Sequence, residues 1–361
     1  MVAGCGFALE EDLQKRSPKF GRHVSRLLGA LVSLAVVNGS AEAKTACLRG
    51  INLAGAEFGD LGDAYGKGYV YPSKETIDYF AARGFNTVRL PFLWERLQPL
   101  LYKELDAAEL ERLRGTVRLI RASGMAVILD PHNYGRFRGQ PIGSETVPQS
   151  AFADFWRRLA AAVAGIDGIA FGLMNEPYDI AAEDWLSAAN SAIGAIRQTG
   201  SGNLVLVPGT AWTGAHSWLA GDYGTPNASV MLDISDPKDN YAYEVHQYLD
   251  ADFSGKNAEC SRAAEAVKAI SDVGGWLREH GQRGYLGEFA TPAAPECLPA
   301  LAEMVRTVEQ GPDVWLGWSY WAGGDWWPED EPLNIQPTKG GDRPQMQVLS
   351  RIFSEQSACD R

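Results

Sequence analysis

Long apolar runs, basic charge and cysteine are all in short supply in this sequence. The apolar run LLGALVSLAVV (27–37) stops at eleven residues, against the roughly 20 that a membrane-spanning helix needs. Lys and Arg number 33 against 45 Asp and Glu, a net charge of −12 over 361 residues. So acidic a chain is poorly suited to nucleic acid or to an anionic membrane surface. The five cysteines show no C-x-x-C spacing, which argues against a zinc site. No G-x-G-x-x-G follows the first predicted strand and no P-loop occurs anywhere, so the usual phosphate-cradling loops are missing. Internal repeats and low-complexity linkers are missing as well.

What remains is an ordinary globular composition, 45% hydrophobic and 22% charged, sufficient for a substantial core. The first 43 residues read separately. Lys15, Arg16, Lys19, Arg22 and Arg26 precede the apolar run, and Ala41-Glu42-Ala43 supplies a small-x-small cleavage site. These are the three regions of a secretory leader, so a secreted protein with a domain over 44–361 is expected. Loss of 1–43 removes five basic and four acidic residues, leaving −13. Cys5 leaves with it. Cys47, Cys260, Cys297 and Cys359 then remain, an even number that suits two disulfides in an oxidising compartment, with three connectivities open.

Beyond the leader, short apolar or β-branched runs alternate with amphipathic stretches. Strands are expected at 48–55, 86–92, 126–132, 169–176, 204–209, 241–248, 284–289 and 314–321. Helices are expected between them. In 106–123, Leu110, Leu113, Val117 and Ile120 recur at three- and four-residue steps, Asp106 with Glu109 suggests a capping box, and Gly124 marks the stop. Leu298, Leu301, Val305 and Val308 give 296–310 the same character. Eight apolar strands separated by helices imply a parallel sheet covered on both faces. The expected fold is therefore a single-domain α/β (β/α)8 TIM barrel. A doubly wound open sheet is the alternative, without a nucleotide-binding fingerprint to support it.

In such a barrel the chemistry gathers at the carboxyl ends of the strands. The polar residues there are Arg89 in VRLP, His132 in LDPHN, Asn175 and Glu176 in MNEP, His246 and Tyr248 in VHQY, and Glu288 in LGEF. Trp321 in WSYW joins them. A lone histidine or a terminal tryptophan usually just packs. Two glutamates at the ends of strands four and seven are different, because paired carboxylates across one mouth are the equipment for cleaving a glycosidic bond.

The segments RGINLAGAEFG, VILDPHNYGR, GLMNEP, VHQYLDADFSG and YLGEF together resemble glycoside hydrolase family 5, in its branch of secreted endo-β-1,4-glucanases, over nearly all of 47–330. The resemblance implies Glu176 as general acid/base and Glu288 as nucleophile of a retaining mechanism. It implies Asn175 on the sugar 2-hydroxyl, Arg89 and Tyr248 hydrogen-bonding the nucleophile, His132 and His246 lining the cleavage subsite, and Trp321 as its floor. Arg89 is expected to keep Glu288 ionised by lowering its pKa. Trp94, Trp212, Trp218, Trp326 and Trp327 also fall near the expected mouth, with Trp212 and Trp326 as candidate subsite aromatics that could stack on sugar, whereas ordinary packing suits Trp94, Trp212 and Trp218 equally well. The resemblance also pairs Cys260 with Cys297 and leaves Cys47 for Cys359. No metal or organic cofactor is expected. A β-glucan polysaccharide or oligosaccharide is the expected partner, with no nucleic acid, no membrane after leader cleavage, and a monomeric chain. The same machinery could act on mannan, xyloglucan or mixed-linkage glucan, and a non-catalytic sugar-binding barrel is the rival from another class. Substitution of Glu176 or Glu288 would favour that rival, and neither is substituted.

Overall fold

The computed structural model of the protein describes residues 47–355. The expected leader and Cys359 lie outside them. Eight strands, β1 (Leu48–Leu53), β2 (Thr87–Phe92), β3 (Ala126–Pro131), β4 (Ile169–Gly172), β5 (Val205–Pro208), β6 (Tyr241–Gln247), β7 (Gly284–Phe289) and β8 (Trp315–Gly323), form the sheet. Each pairs in parallel with its sequence neighbours, and β8 pairs with β1, so the sheet closes in chain order. This is the expected TIM barrel.

Seven longer helices cover the outside: α1 (Lys74–Ala82), α2 (Ala107–Ala122), α3 (Gln149–Ala162), α4 (Ala182–Gln198), α5 (Ala263–Glu279), α6 (Leu298–Glu309) and α7 (Pro344–Ser354). After β5 the connection contains only short helical segments, at Ala211–Thr213, Ala215–Trp218, Asn227–Val230 and Met231–Asp233. Helix α6 shows the rule for the others. Pro occurs in its first turn, where a missing N–H costs nothing. Leu301, Met304, Val305 and Val308, spaced at three and four residues, are fully buried, and each such side chain contributes about 1.5–3 kcal/mol on leaving water.

Helix α2 starts where expected, with the Asp106 carboxylate accepting from Glu109 N at 2.8 Å. The reciprocal half of the box is absent. The Glu109 carboxylate turns inward and accepts from Tyr69 and Tyr71 hydroxyls at 2.7 and 2.9 Å, because two phenols in a buried site need an acceptor more than a helix end does.

The barrel interior has two characters. At its lower end Ile128, Ala170, Leu206, Ala242 and Tyr285, from five consecutive strands, form an apolar layer. Two residues further along the same strands the inward positions become Asp130 and Glu244, both buried, since alternate residues of a strand share a face. The interior thus turns from apolar to acidic towards the carboxyl ends. Among the described residues no helix is long and apolar enough to cross a membrane.

Candidate active site

Arg89 of β2 is the centre of that acidic layer and is fully buried. Its Nη1 donates to Glu288 Oε1 at 2.9 Å and Asn52 Oδ1 at 3.0 Å, and lies 3.0 Å from Asp130 Oδ2. Its Nη2 donates to Asn175 Oδ1 at 2.8 Å. Nε is 2.8 Å from Glu244 Oε1 but is not angled as a hydrogen bond, so that contact is charge pairing. One planar fork therefore meets three carboxylates and two amides, which a lysine's point charge could not do.

Glu288 reaches the mouth through a register shift. Val245 of β6 faces Leu286, yet His246 faces Glu288, so β7 carries one extra residue at Gly287. Strict alternation from the inward Tyr285 would send Glu288 outward, and the bulge turns it in. Glycine is needed there because a Cβ would stand 2.2 Å from Glu244 Oε1. Tyr248 donates to Glu288 Oε2 at 2.8 Å. The Tyr248 ring lies in turn against Gly255 (φ +70°), where a Cβ would come within 2.6 Å of it.

The strand expected to run through Glu176 ends at Gly172. The Met174-Asn175-Glu176 segment continues as a loop, tied to β3 by Asn175 N donating to Pro131 O at 2.9 Å. Glu176 adopts a left-handed conformation, φ 42°, uncommon for a non-glycine residue and held by its surroundings. Its Oε1 lies 2.8 Å from His246 Nδ1, and His246 Nε2 lies 3.2 Å from Glu244 Oε1. Donor atoms of Glu176, His246 and Glu288 fall within 4.8 Å of one another, close enough to hold a metal ion as well as a reacting group.

Burial raises the Glu288 carboxyl above its ordinary value, opposed by His246 and Arg89 and reinforced by Glu176. The expected lowering by Arg89 is thus outweighed by desolvation. Burial alone would lower His246, but Glu288, Glu176 and Glu244 reverse this and push it up to about 10. Asp130 likewise raises His132 against its burial. The hydrogen bonds still favour a singly protonated His132. Asn175 Oδ1 is engaged by Arg89, so its Nδ2 faces His132 Nε2 at 3.1 Å as a donor, while Nδ1 bonds Asp130 at 2.8 Å.

A cavity of about 1110 Å³ opens above these groups, lined among others by His132, Asn175, Glu176, Tyr248 and Glu288. Trp321 forms part of its wall and stacks on His132, centroids 5.2 Å apart at 17°. Trp212 is 44% exposed, lines the cavity and stacks on Tyr178 at 5.1 Å and 6°. Trp326 is 39% exposed and does not line it; the adjacent Trp327 does, edge-on to Trp321 and stacked on Phe58. Trp94 and Trp218 are fully buried packing residues. Cys260 and Cys297 form a disulfide with Cα atoms 5.7 Å apart. Cys47 is also disulfide-bonded.

Asn52, Asp130 and Glu244 are absent from the sequence-based list. Asp130 and Glu244 precede His132 and His246 by two residues, so the strand period already put them on the histidines' face. Glu57 was also missed. Its Oε2 accepts from Gly55 N at 2.7 Å, its Oε1 has no partner, and burial raises it to about 7 against the pull of His132.

Residues 40–324 match the model of the cellulase family, glycosyl hydrolase family 5. The chain is 34% identical over 313 residues to endo-beta-1,4-glucanase B of Aspergillus niger, covering 85% of this chain and 91% of that one. It is 37% identical to endo-beta-1,4-glucanase A of Emericella nidulans, covering 81% and 87%. Among solved structures it resembles XacCel5A in complex with cellopentaose at 46% identity and a TM-score of 0.83, covering 85% of this chain and 99% of that chain. Pseudomonas stutzeri endoglucanase Cel5A in complex with cellobiose follows at 36% and 0.76, covering 85% and 92%. On the family match and these identities, the chain belongs to glycosyl hydrolase family 5.

Proposed function

We propose that the protein is a retaining endo-β-1,4-glucanase that cleaves internal bonds of cellulose and related β-glucans. The observation that carries this reading is the approach of one Glu176 oxygen and one Glu288 oxygen to within 4.8 Å in an aromatic-walled cavity. Retaining enzymes hold their carboxyl groups about 5–5.5 Å apart, whereas inverting enzymes leave about 6.5–9.5 Å for a water molecule. The names of the relatives agree with the reaction.

Glu288, as nucleophile, attacks the anomeric carbon while the bond from that carbon to the leaving oxygen breaks. Glu176, as general acid, delivers a proton to that oxygen. The 2.8 Å contact between Glu176 Oε1 and His246 Nδ1 keeps a proton within reach of the departing group. Arg89 and Tyr248 hold Glu288 in place and stabilise its ionised form. Once Glu288 is an ester its charge is gone, and Glu176 removes a proton from the water that attacks the same carbon and frees Glu288. Asn175, fixed by Arg89 and His132, offers its amide to the sugar 2-hydroxyl, an interaction that strengthens as the oxocarbenium-like state forms. Trp321 supplies a flat apolar surface for the sugar in the cleavage subsite, and Trp212 one for a neighbouring sugar.

Residues 1–43 direct export of a monomeric domain by this account, and intact mass of the exported protein tests the cleavage. The activity is tested by viscosity and reducing-end release on carboxymethyl cellulose, barley β-glucan and glucomannan, with Glu176→Gln and Glu288→Gln in parallel. A rapid fall in viscosity on the cellulose derivative, abolished in both variants, is expected. Turnover confined to glucomannan overturns the substrate, and binding without turnover overturns the enzymatic reading.

A further inference from the structure

A second cavity of about 500 Å³ adjoins the active-site mouth. Its walls are the 216–223 segment, the 251–253 loop and one face of α5, on which Glu265, Lys268, Ala269 and Asp272 follow at helical spacing. His216, Tyr223, Asp252 and Phe253 line both cavities, so the two openings share a wall.

That shared wall and its surroundings are built of rings. Tyr178 and Trp212 stack at the mouth. Tyr223 stands edge-on to Trp212 at 6.4 Å and to His216 at 6.5 Å. His216 stacks on Phe253 at 4.4 Å and 23°, and the Arg262 guanidinium lies 4.6 Å from the centroid of the Phe253 ring. Burial lowers the His216 value. Tyr223 is 55% exposed, which leaves a large aromatic surface facing solvent between the cavities. These rings are also firmly seated. His216 N donates to Gln247 Oε1 at 2.9 Å, Arg262 N donates to Leu249 O at 2.9 Å, and the Cys260–Cys297 bridge ends the same loop.

The side on which the outer cavity lies follows from Glu176. Trp212 N donates to Pro177 O at 3.0 Å, so the Trp212 platform is joined to the segment that carries the proposed acid, the group facing the leaving oxygen. Trp321 and Trp327 wall the cavity from β8 and the segment after it. The outer cavity lies beyond Trp212 on the leaving-group side. Its lining holds Asp222, Asp252, Glu265 and Asp272 against Arg262 and Lys268, a polar and net acidic surface suited to hydroxyls and unfavourable to carboxylates.

We propose that this outer cavity binds the distal leaving-group portion of a neutral β-1,4-glucan chain, several sugars past the cleaved bond. The inference rests on the endoglucanase reading and adds to it a binding site that extends the cleft. Longer neutral chains gain affinity there, and the reducing-end fragment released from them is correspondingly longer.

The test measures kcat/KM and cleavage position on reducing-end-labelled cello-oligosaccharides of four to eight units. Ala269→Trp fills the outer cavity from α5, and Phe253→Ala removes its stacking ring. The unaltered enzyme is expected to gain with chain length and to release longer labelled fragments. Ala269→Trp should keep its rate on the four-unit chain. Both variants should lose roughly three- to tenfold on the long chains and shift cleavage towards shorter labelled fragments. Equal chain-length gain and unchanged fragments in both variants overturn the outer site and leave the activity intact. Absence of hydrolysis by the unaltered enzyme on every chain overturns the endoglucanase reading on which the proposal stands.

Discussion

Replacing Tyr248 by phenylalanine removes one atom group and little else. The ring stays against Gly255, and only the 2.8 Å donation to Glu288 Oε2 is lost. Burial already raises Glu288, and losing a donor to its ionised form moves it further in the same direction. The nucleophile must be ionised, so the protonated fraction grows as pH falls, and activity is lost on the acid side. A hydrogen bond to a charged group contributes about 1.5–3 kcal/mol, which corresponds to about a ten- to hundredfold loss of kcat/KM there. At higher pH Glu288 ionises in both proteins and the two rates converge. The assay is a pH profile of kcat/KM on a neutral cello-oligosaccharide, with Tyr248→Phe beside the unaltered enzyme. A rate ratio that stays constant across the profile would refute the assignment of Tyr248 as a group that sets the charge of Glu288.

Gly255→Ala drives a Cβ to 2.6 Å from the Tyr248 ring at a backbone φ of +70°. It should destabilise the fold by about 1–3 kcal/mol and move the pH profile as Tyr248→Phe does, and an unchanged urea midpoint and profile would contradict this. The Cys260–Cys297 bridge closes a separation of 37 residues, for which the loop-entropy relation gives roughly 4 kcal/mol. A double Cys→Ala variant that loses under about 1 kcal/mol in urea unfolding would show that the loop after β6 is held by its other contacts.

The barrel was legible because each strand is a short apolar run bounded by turns, and each helix repeats its apolar face at 3.6 residues. Strand ends alone pointed to Arg89, His132, His246 and Trp321, of which His132 and Trp321 line the cavity while Arg89 and His246 are buried. Glu288 is a different case. Reading GYLGEF by alternation puts Tyr285 and Glu288 on opposite faces, and only the bulge at Gly287, a tertiary pairing event, brings both inward. Glu176 was placed on a strand that in fact stops at Gly172, since an apolar run continues through Leu173 and Met174 and gives no local stop signal. In the sequence Glu244 is one acid among many. Its importance comes from burial beside Arg89 and His246, which residue type does not encode. Trp326 and Trp327 are adjacent and alike in sequence, and only packing on Phe58 and Trp321 selects the second for the cavity.

The central claim is that Glu176 and Glu288 are close enough for a covalent glycosyl intermediate, with water attacking second. The direct measurement is proton NMR of the anomeric signals during the first minutes of cello-oligosaccharide hydrolysis, before mutarotation. The account predicts the β-anomer first, with the α-anomer growing only as the sugar equilibrates. Initial appearance of the α-anomer would mean inversion by a single displacement, and would contradict the assignment of Glu288 as nucleophile.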